Sequence, residues 1–193
     1  MNILKSVGSF FIDIIETIVI ALAIFVVVYL FLLQPHQVRG HSMDSSFSDG
    51  EYILTDKISY RFGKPERGDV VVFKAPKNQD YDYIKRIIGL PEERVKVSKG
   101  SVYIYNDKNP SGVKLEEPYL DKGTITVEGA WAKEDKEITV KPDQYFVLGD
   151  NRSHSSDSRE WGLVPKENII GRAWLRYWPI NEMAFIPQVD FRF

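Results

Sequence analysis

The 193-residue sequence predicts an all-β body, barrel-like or built of two packed sheets, behind a single N-terminal transmembrane helix. Three observations carry this reading. Residues 18–33 are sixteen positions in a row without a charged side chain. Beyond Pro35 the apolar residues fall into short, alternating β-branched or aromatic runs with no sustained helical period. Gly, Pro, Asp or Asn flank each run, as strand-ending turns require.

The apolar run, extended back through Thr17 to Phe10, reaches the length that crosses ~30 Å of hydrocarbon at ~1.5 Å per helical residue. A cleavable leader would need a basic start and small residues before the cut, whereas Asp13 and Glu16 precede this run and Leu33-Gln34-Pro35 ends it. A buried helix of a soluble fold would show a polar face over the same length. The chain therefore divides into residues 1–36, a tail and anchor, and residues 37–193, a β domain. Lys5 and Arg39 flank the anchor without enough asymmetry to orient it.

Glu51-Tyr-Ile-Leu-Thr55, Asp69-Val-Val-Val-Phe73, Tyr83-Ile-Lys-Arg-Ile-Ile88 and Tyr145-Phe-Val-Leu148 read as strands. Arg94-Val-Lys-Val-Ser98 and Ser101-Val-Tyr-Ile-Tyr105 read as a hairpin around Lys99-Gly100, with Gly100 supplying positive φ. Residues 106–136 are poorer in pattern and carry Asn109-Pro110-Ser111-Gly112 and Glu116-Glu117-Pro118, which predicts an inserted subdomain or long irregular excursion. Alternation resumes in Ile170-Gly-Arg-Ala-Trp-Leu-Arg-Tyr-Trp178.

Charge argues against whole classes of partner. Without Lys5, Asp13 and Glu16, the body carries 24 basic and 25 acidic residues, a net of −1, so nucleic acid is not an expected partner. There is no cysteine, which removes disulfides, thiolate metal sites and a cysteine nucleophile.

Chemistry gathers in three places. Lys85 and Arg86 are adjacent on a strand and point to opposite faces, so a strand covering a core turns one cation inward; Lys85 shares its face with Tyr83 and Ile87. An edge strand wet on both sides explains the pair equally well. If Lys85 is the buried one, desolvation disfavours its ammonium and makes it a candidate general base. Its natural partner is Ser42 in Arg39-Gly40-His41-Ser42-Met43, with Ser45, Ser46 and Ser48 nearby as ordinary loop serines. The third place is the polar loop Gly149-Asp150-Asn151-Arg152-Ser153-His154-Ser155-Ser156-Asp157-Ser158-Arg159, which is either simply solvated or a charge-assisted scaffold for the lysine.

In order, the anchor, the box from Gly40 to Met43, Arg67-Gly-Asp-Val-Val-Val-Phe73, Tyr83-Ile-Lys-Arg-Ile-Ile-Gly-Leu-Pro91 and Gly149-Asp-Asn-Arg…Asp157-Ser-Arg159 resemble the type I signal peptidases, membrane-anchored serine/lysine endopeptidases that cut signal peptides from exported proteins. With their neighbouring strands these boxes cover residues 18 to about 180 and leave 106–136 as the variable part. The resemblance implies Ser42 as nucleophile and Lys85 as general base. Ser155 is implied to orient that lysine, Asp157 and Arg159 to form a structural ion pair, and Tyr83 to pack nearby. Val38, Gly40, Met43 and Ile84 are implied to line a shallow cleft that accepts small side chains, and the Ser42 N–H to donate to the oxyanion. No cofactor or metal is implied. The implied partners are signal-peptide-bearing preproteins and the lipid bilayer, with the catalytic domain on the extracytoplasmic side of a single-pass plasma-membrane protein.

Three departures stand out. Gly40 stands where some members carry a serine that supplies a second oxyanion donor. Ser45-Ser46 replaces the usual Pro-Thr, which predicts a looser loop that Ser45→Pro would stabilise. Glu92 replaces the usual glycine after Leu-Pro. Independently of family, Leu33 and Ser42 are nine residues apart, which at ~3.3–3.6 Å per extended residue keeps the serine within ~30 Å of the anchor's end. Trp174, Trp178, Phe185, Phe191 and Phe193 are candidates for resting on the membrane interface or for filling the core. Rival readings are a Ser–His–Asp hydrolase using His41 or His154 with Asp150 or Asp157, and an anchored β domain that only binds a partner.

Overall fold

The structure is a computed structural model that describes residues 2–189 and 191, with side chains from Val7 onward. Helix α1 (Asn2–Phe31) contains the 25-residue stretch Val7–Phe31 with a mean hydropathy of 2.8, long and apolar enough to cross a membrane. No part of its most apolar window is buried, unlike a core helix of a soluble fold. The apolar run continues to Leu33, but the helix does not. Strand β1 (Leu33–Gln37) starts there, because this backbone pairs antiparallel with β2 (Tyr52–Asp56), so the sheet begins inside the segment that hydropathy assigns to the anchor. Pro35 is tolerated because β1 is an edge strand. The Lys57 N–H donates to the Leu32 carbonyl at 2.9 Å, fastening the helix end to the turn after β2.

After the short helix α2 (Ser59–Phe62) come β3 (Val70–Lys74) and β4 (Asp82–Gly89), then the hairpin β5 (Arg94–Ser98) and β6 (Ser101–Asn106). Both hairpin turn residues take positive φ, Lys99 at +48° and Gly100 at +75°, the primed geometry that matches strand twist. Strand β7 (Asn109–Lys114) occupies the start of the excursion, and residues 115–136 then run without a regular element to β8 (Glu137–Thr139). The chain finishes with β9 (Gln144–Leu148), α3 (Ser158–Trp161), β10 (Val164–Pro165), β11 (Ile169–Trp178) and β12 (Ala184–Phe185).

Eight strands form one antiparallel sheet in the order β1-β2-β11-β3-β4-β9-β10, with β12 on β11, and four form a second in the order β7-β6-β5-β8. Of the two architectures the sequence predicts, this is two sheets, not a closed barrel. Period-two alternation explains how they pack. On β9, Phe146 and Leu148 face the core shared with Val95, Val102 and Ile104 of the smaller sheet, while Tyr145 and Val147 face a second core with Val71, Phe73 and Ile87. On β3, Val70 and Val72 turn instead to a third core with Val38, Met43 and Phe47. Strands β3 and β4 are thus central and covered on both sides, which excludes the wet-edge reading of Lys85 and Arg86: they are 4% and 3% exposed.

Of the aromatics, Trp178 and Phe185 are exposed, the Trp174 ring lies tilted against Phe185 with centroids 5.2 Å apart, and Phe191 packs against the inter-sheet core. Phe193 lies outside the described residues.

Candidate active site

Three segments converge on one point. Register in β4 sets Lys85 opposite Val71 of β3, and its Nζ donates to Ser42 Oγ at 2.7 Å and to the Ile84 carbonyl at 2.8 Å. The serine sits on the loop after β1, which closes on itself through Val38 N–H to Glu51 O and Gly50 N–H to Val38 O. The loop after β9 reaches over from the other side, where Asn151 donates its N–H to Ser42 O at 3.1 Å and its Nδ2 to His41 O at 2.9 Å.

No ion pair holds Lys85 among the described residues. Burial pushes its ammonium down from 10.5 to about 8, against the opposing pull of the Asp157 and Asp150 carboxylates. The Tyr83 ring lies 5.6 Å from the amine and supplies part of the apolar wall. Ser155 Oγ is buried with no hydrogen-bond partner among the described residues. It lies close by, since a Cβ on Gly149 would overlap both the Ser155 side chain and the Ser42 carbonyl. The Ser42 N–H likewise has no partner among the described residues.

Asp157 and Arg159 pair with Nε to Oδ1 and Nη2 to Oδ2, both at 2.8 Å, fully out of water. The same carboxylate accepts the Gly149 N–H at 3.0 Å and caps α3, so this ion pair shapes the loop's backbone directly. The histidines are elsewhere: His41 pairs with Asp44 and His154 with Ser153, both on the surface, and His36 with Thr55 and Asp82. None of them meets Ser42 Oγ.

A family model described as signal peptidase, peptidase S26, matches residues 11–178. The chain belongs to the signal peptidase family. Signal peptidase IB of Staphylococcus aureus (strain MRSA252) is 35% identical over 180 residues, covering 88% of this chain and 90% of its own length. A probable signal peptidase I-2 of Synechocystis is 36% identical over 176 residues, covering 89% of this chain and 75% of its own length. A crystal structure of a signal peptidase I from Enterococcus faecalis has 33% sequence identity and a TM-score of 0.45, covering 56% of this chain and 96% of that one.

Beside the serine of this signal peptidase family member, Val38 and Met43 are buried at 3% and 1% exposure with Ile84 packed on them, while Tyr83 belongs to the neighbouring core. Gly40 takes φ +84° and its N–H is already engaged by Asp49 at 2.6 Å. The departure at Ser45 has a different cause from the loosened loop the sequence predicts: its φ is +82°, which proline does not adopt, so a proline there would strain the loop rather than stabilise it. Glu92, at φ +72°, occupies the left-handed conformation that the family's usual glycine suits. Sequence reasoning missed the two hydrogen bonds from Arg86 to Asp150 and the pairing of Arg152 with Glu117. The adjacency of Lys85 and Arg86 on a covered strand was the one available signal for the first.

Proposed function

We propose that this chain is a membrane-bound serine endopeptidase that removes N-terminal signal peptides from exported preproteins, with Ser42 as nucleophile and Lys85 as general base. The 2.7 Å contact between Lys85 Nζ and Ser42 Oγ, made by a buried lysine without an ion-pair partner, is the observation that carries the reading. In its neutral form the amine accepts the Ser42 proton as Oγ attacks the scissile carbonyl, giving a tetrahedral oxyanion and, after the leaving amine takes the proton from Lys85, an acyl-enzyme that water hydrolyses. The free Ser42 N–H is one donor to the oxyanion. Ser155 Oγ, buried and unpartnered, is the group that accepts an N–H from Lys85 and turns the lone pair toward Ser42. Asp157 and Arg159 hold the loop that presents Ser155.

Helix α1 anchors the enzyme in the plasma membrane, with the β domain on the extracytoplasmic face. Strand β1 begins two residues after the helix ends, so the site lies at the membrane surface, where a substrate's cleavage point follows its own apolar segment. Exposed Trp178 and Phe185 suit the same interface. Detergent-solubilised protein incubated with a preprotein should make a single cut after a small residue, and Ser42→Ala should make none. Full cleavage by Ser42→Ala would dismiss this reading.

A further inference from the structure

Residues 115–136 place three side chains on the loop that carries Ser155 and Asp157. The Arg152 side chain of that loop is 0% exposed. Its Nε donates to the Gly149 carbonyl at 3.0 Å, its Nη1 to Glu117 Oε2 at 3.0 Å and to Thr126 Oγ1 at 2.5 Å, and its Nη2 to Glu117 Oε1. Tyr119 braces the pair: its hydroxyl donates to Glu117 Oε1 at 2.6 Å and accepts from Arg152 Nη2 at 3.4 Å. The Tyr119 ring lies 4.0 Å from the guanidinium of Arg86, the residue after Lys85.

Two buried guanidiniums therefore each have one carboxylate, Asp150 for Arg86 and Glu117 for Arg152. Asp150 belongs to the loop itself, whereas Glu117 comes from the excursion. A guanidinium does not shed its charge on burial. Without Glu117, Arg152 either leaves the Gly149 carbonyl for water or turns to Asp150 and competes with Arg86. Both moves reach the site through Gly149, whose N–H is held by Asp157 and whose Cα leaves no room for a Cβ between Ser155 and the Ser42 carbonyl.

We infer that Glu117, seated by Tyr119, is a positioning residue for the Ser42–Lys85 site: it keeps Arg152 on the Gly149 carbonyl and so sets the spacing between Ser42 and Ser155. This rests on the assignment of Ser42 and Lys85 proposed above. The excursion is then a working part of the enzyme rather than a decoration on it.

Preprotein cleavage kinetics of the full chain in detergent test this. Glu117→Gln should lower kcat by at least about tenfold with KM within about twofold, since misplacement remote from the chemistry acts on the reacting geometry. Glu117→Asp should recover part of the loss, and the exposed neighbour variant Glu116→Gln should match the parent. Because Glu117 acts through Arg152, the double variant Glu117→Gln/Arg152→Gln should be no slower than Arg152→Gln alone. A folded Glu117→Gln enzyme with parental kcat, or losses that multiply in the double variant, would overturn the inference. Should Glu117→Gln fail to fold, Tyr119→Phe decides: a kcat lowered by about threefold or more at unchanged KM supports the brace, as loss of the hydroxyl's hydrogen bonds to the pair would give, and a parental kcat refutes it. Ser42→Ala, run alongside, separates the two ideas. If it cleaves, the site assignment falls; if it is inert while Glu117→Gln is parental, only this inference falls.

Discussion

Arg86 grips Asp150 with two hydrogen bonds, Nε to Oδ1 at 2.9 Å and Nη2 to Oδ2 at 2.6 Å, with both residues almost fully buried. One position earlier on the same strand, Lys85 is equally buried and has no ion-pair partner among the described residues. The strand's alternation separates the two cations onto opposite faces, and their surroundings then treat them differently. Arg86 keeps its charge against a carboxylate, and Lys85 is driven toward neutrality.

Breaking the first pair should be costly. Asp150→Asn leaves Arg86 charged and unpaired in the interior, so unfolding stability should fall by about 3–5 kcal/mol. Adding Arg86→Met should recover part of that loss. Asp150 also helps hold the Lys85 proton, so any activity left in Asp150→Asn should have its acid limb displaced to lower pH. Urea unfolding curves and pH–rate profiles check both statements.

Two backbone positions call for changes of opposite sign. Glu92 is exposed and sits at φ +72°, so Glu92→Gly should relieve about 1–2 kcal/mol of left-handed strain. Set against about 0.4–1 kcal/mol of added chain entropy in the unfolded state, the net is a modest gain. Ser45→Pro, by contrast, demands φ near −65° where the backbone has +82°, and should destabilise by more than about 1 kcal/mol. A Ser45→Pro protein as stable as the parent would mean that this loop has another conformation.

The proposed function sets Val38, Met43 and Ile84 against the substrate's small side chain, and in the structure Val38 and Met43 are buried in one core with Ile84 packed on it, so they have little freedom to retreat. A preprotein with Ala directly before the cut should therefore be processed efficiently, and its Phe counterpart about a hundredfold or more slower, a difference larger than one methylene supplies. Parallel time courses with the two substrates measure this. Equal rates would remove these residues from the substrate cleft.

How much of this was legible in the sequence depends on whether a feature is local. The inward turn of Lys85 or Arg86 follows from alternation once the strand is known to be covered, and coverage shows in the continuous apolar run of residues 70–73 beside it. Hydropathy carried the anchor to Leu33 because an apolar residue serves a helix in lipid and a strand in a sheet alike; pairing with Asp56 decided it. The sign of φ at Ser45 and Glu92 leaves no mark in a non-glycine residue. Glu117 reads as half of a solvated Glu-Glu pair, and only the fold brings it to Arg152, 35 positions away.

The decisive measurement concerns Lys85. With its pKa lowered to about 8, the amine is mostly protonated at neutral pH, so the cleavage rate should climb about tenfold per unit below pH 8 and level off above it. Stability should move the same way. The unfolded chain binds this proton more tightly than the folded one, so the burden of the buried ammonium is full below pH 8 and lifts as pH rises toward 10.5. Lys85→Arg keeps a positive charge on the strand but does not give up a proton in this range, and therefore does not accept one from Ser42. It should bind preprotein yet leave it uncut at every pH, as should Lys85→Met, which supplies an uncharged side chain of similar length should the arginine variant fold poorly. His154→Ala, altering a surface group bonded to Ser153, should cleave at close to the parental rate. If either folded Lys85 variant cleaves at more than about a hundredth of that rate, a smaller loss than removing a general base entails, Lys85 is not the base and the surface histidines must be reconsidered.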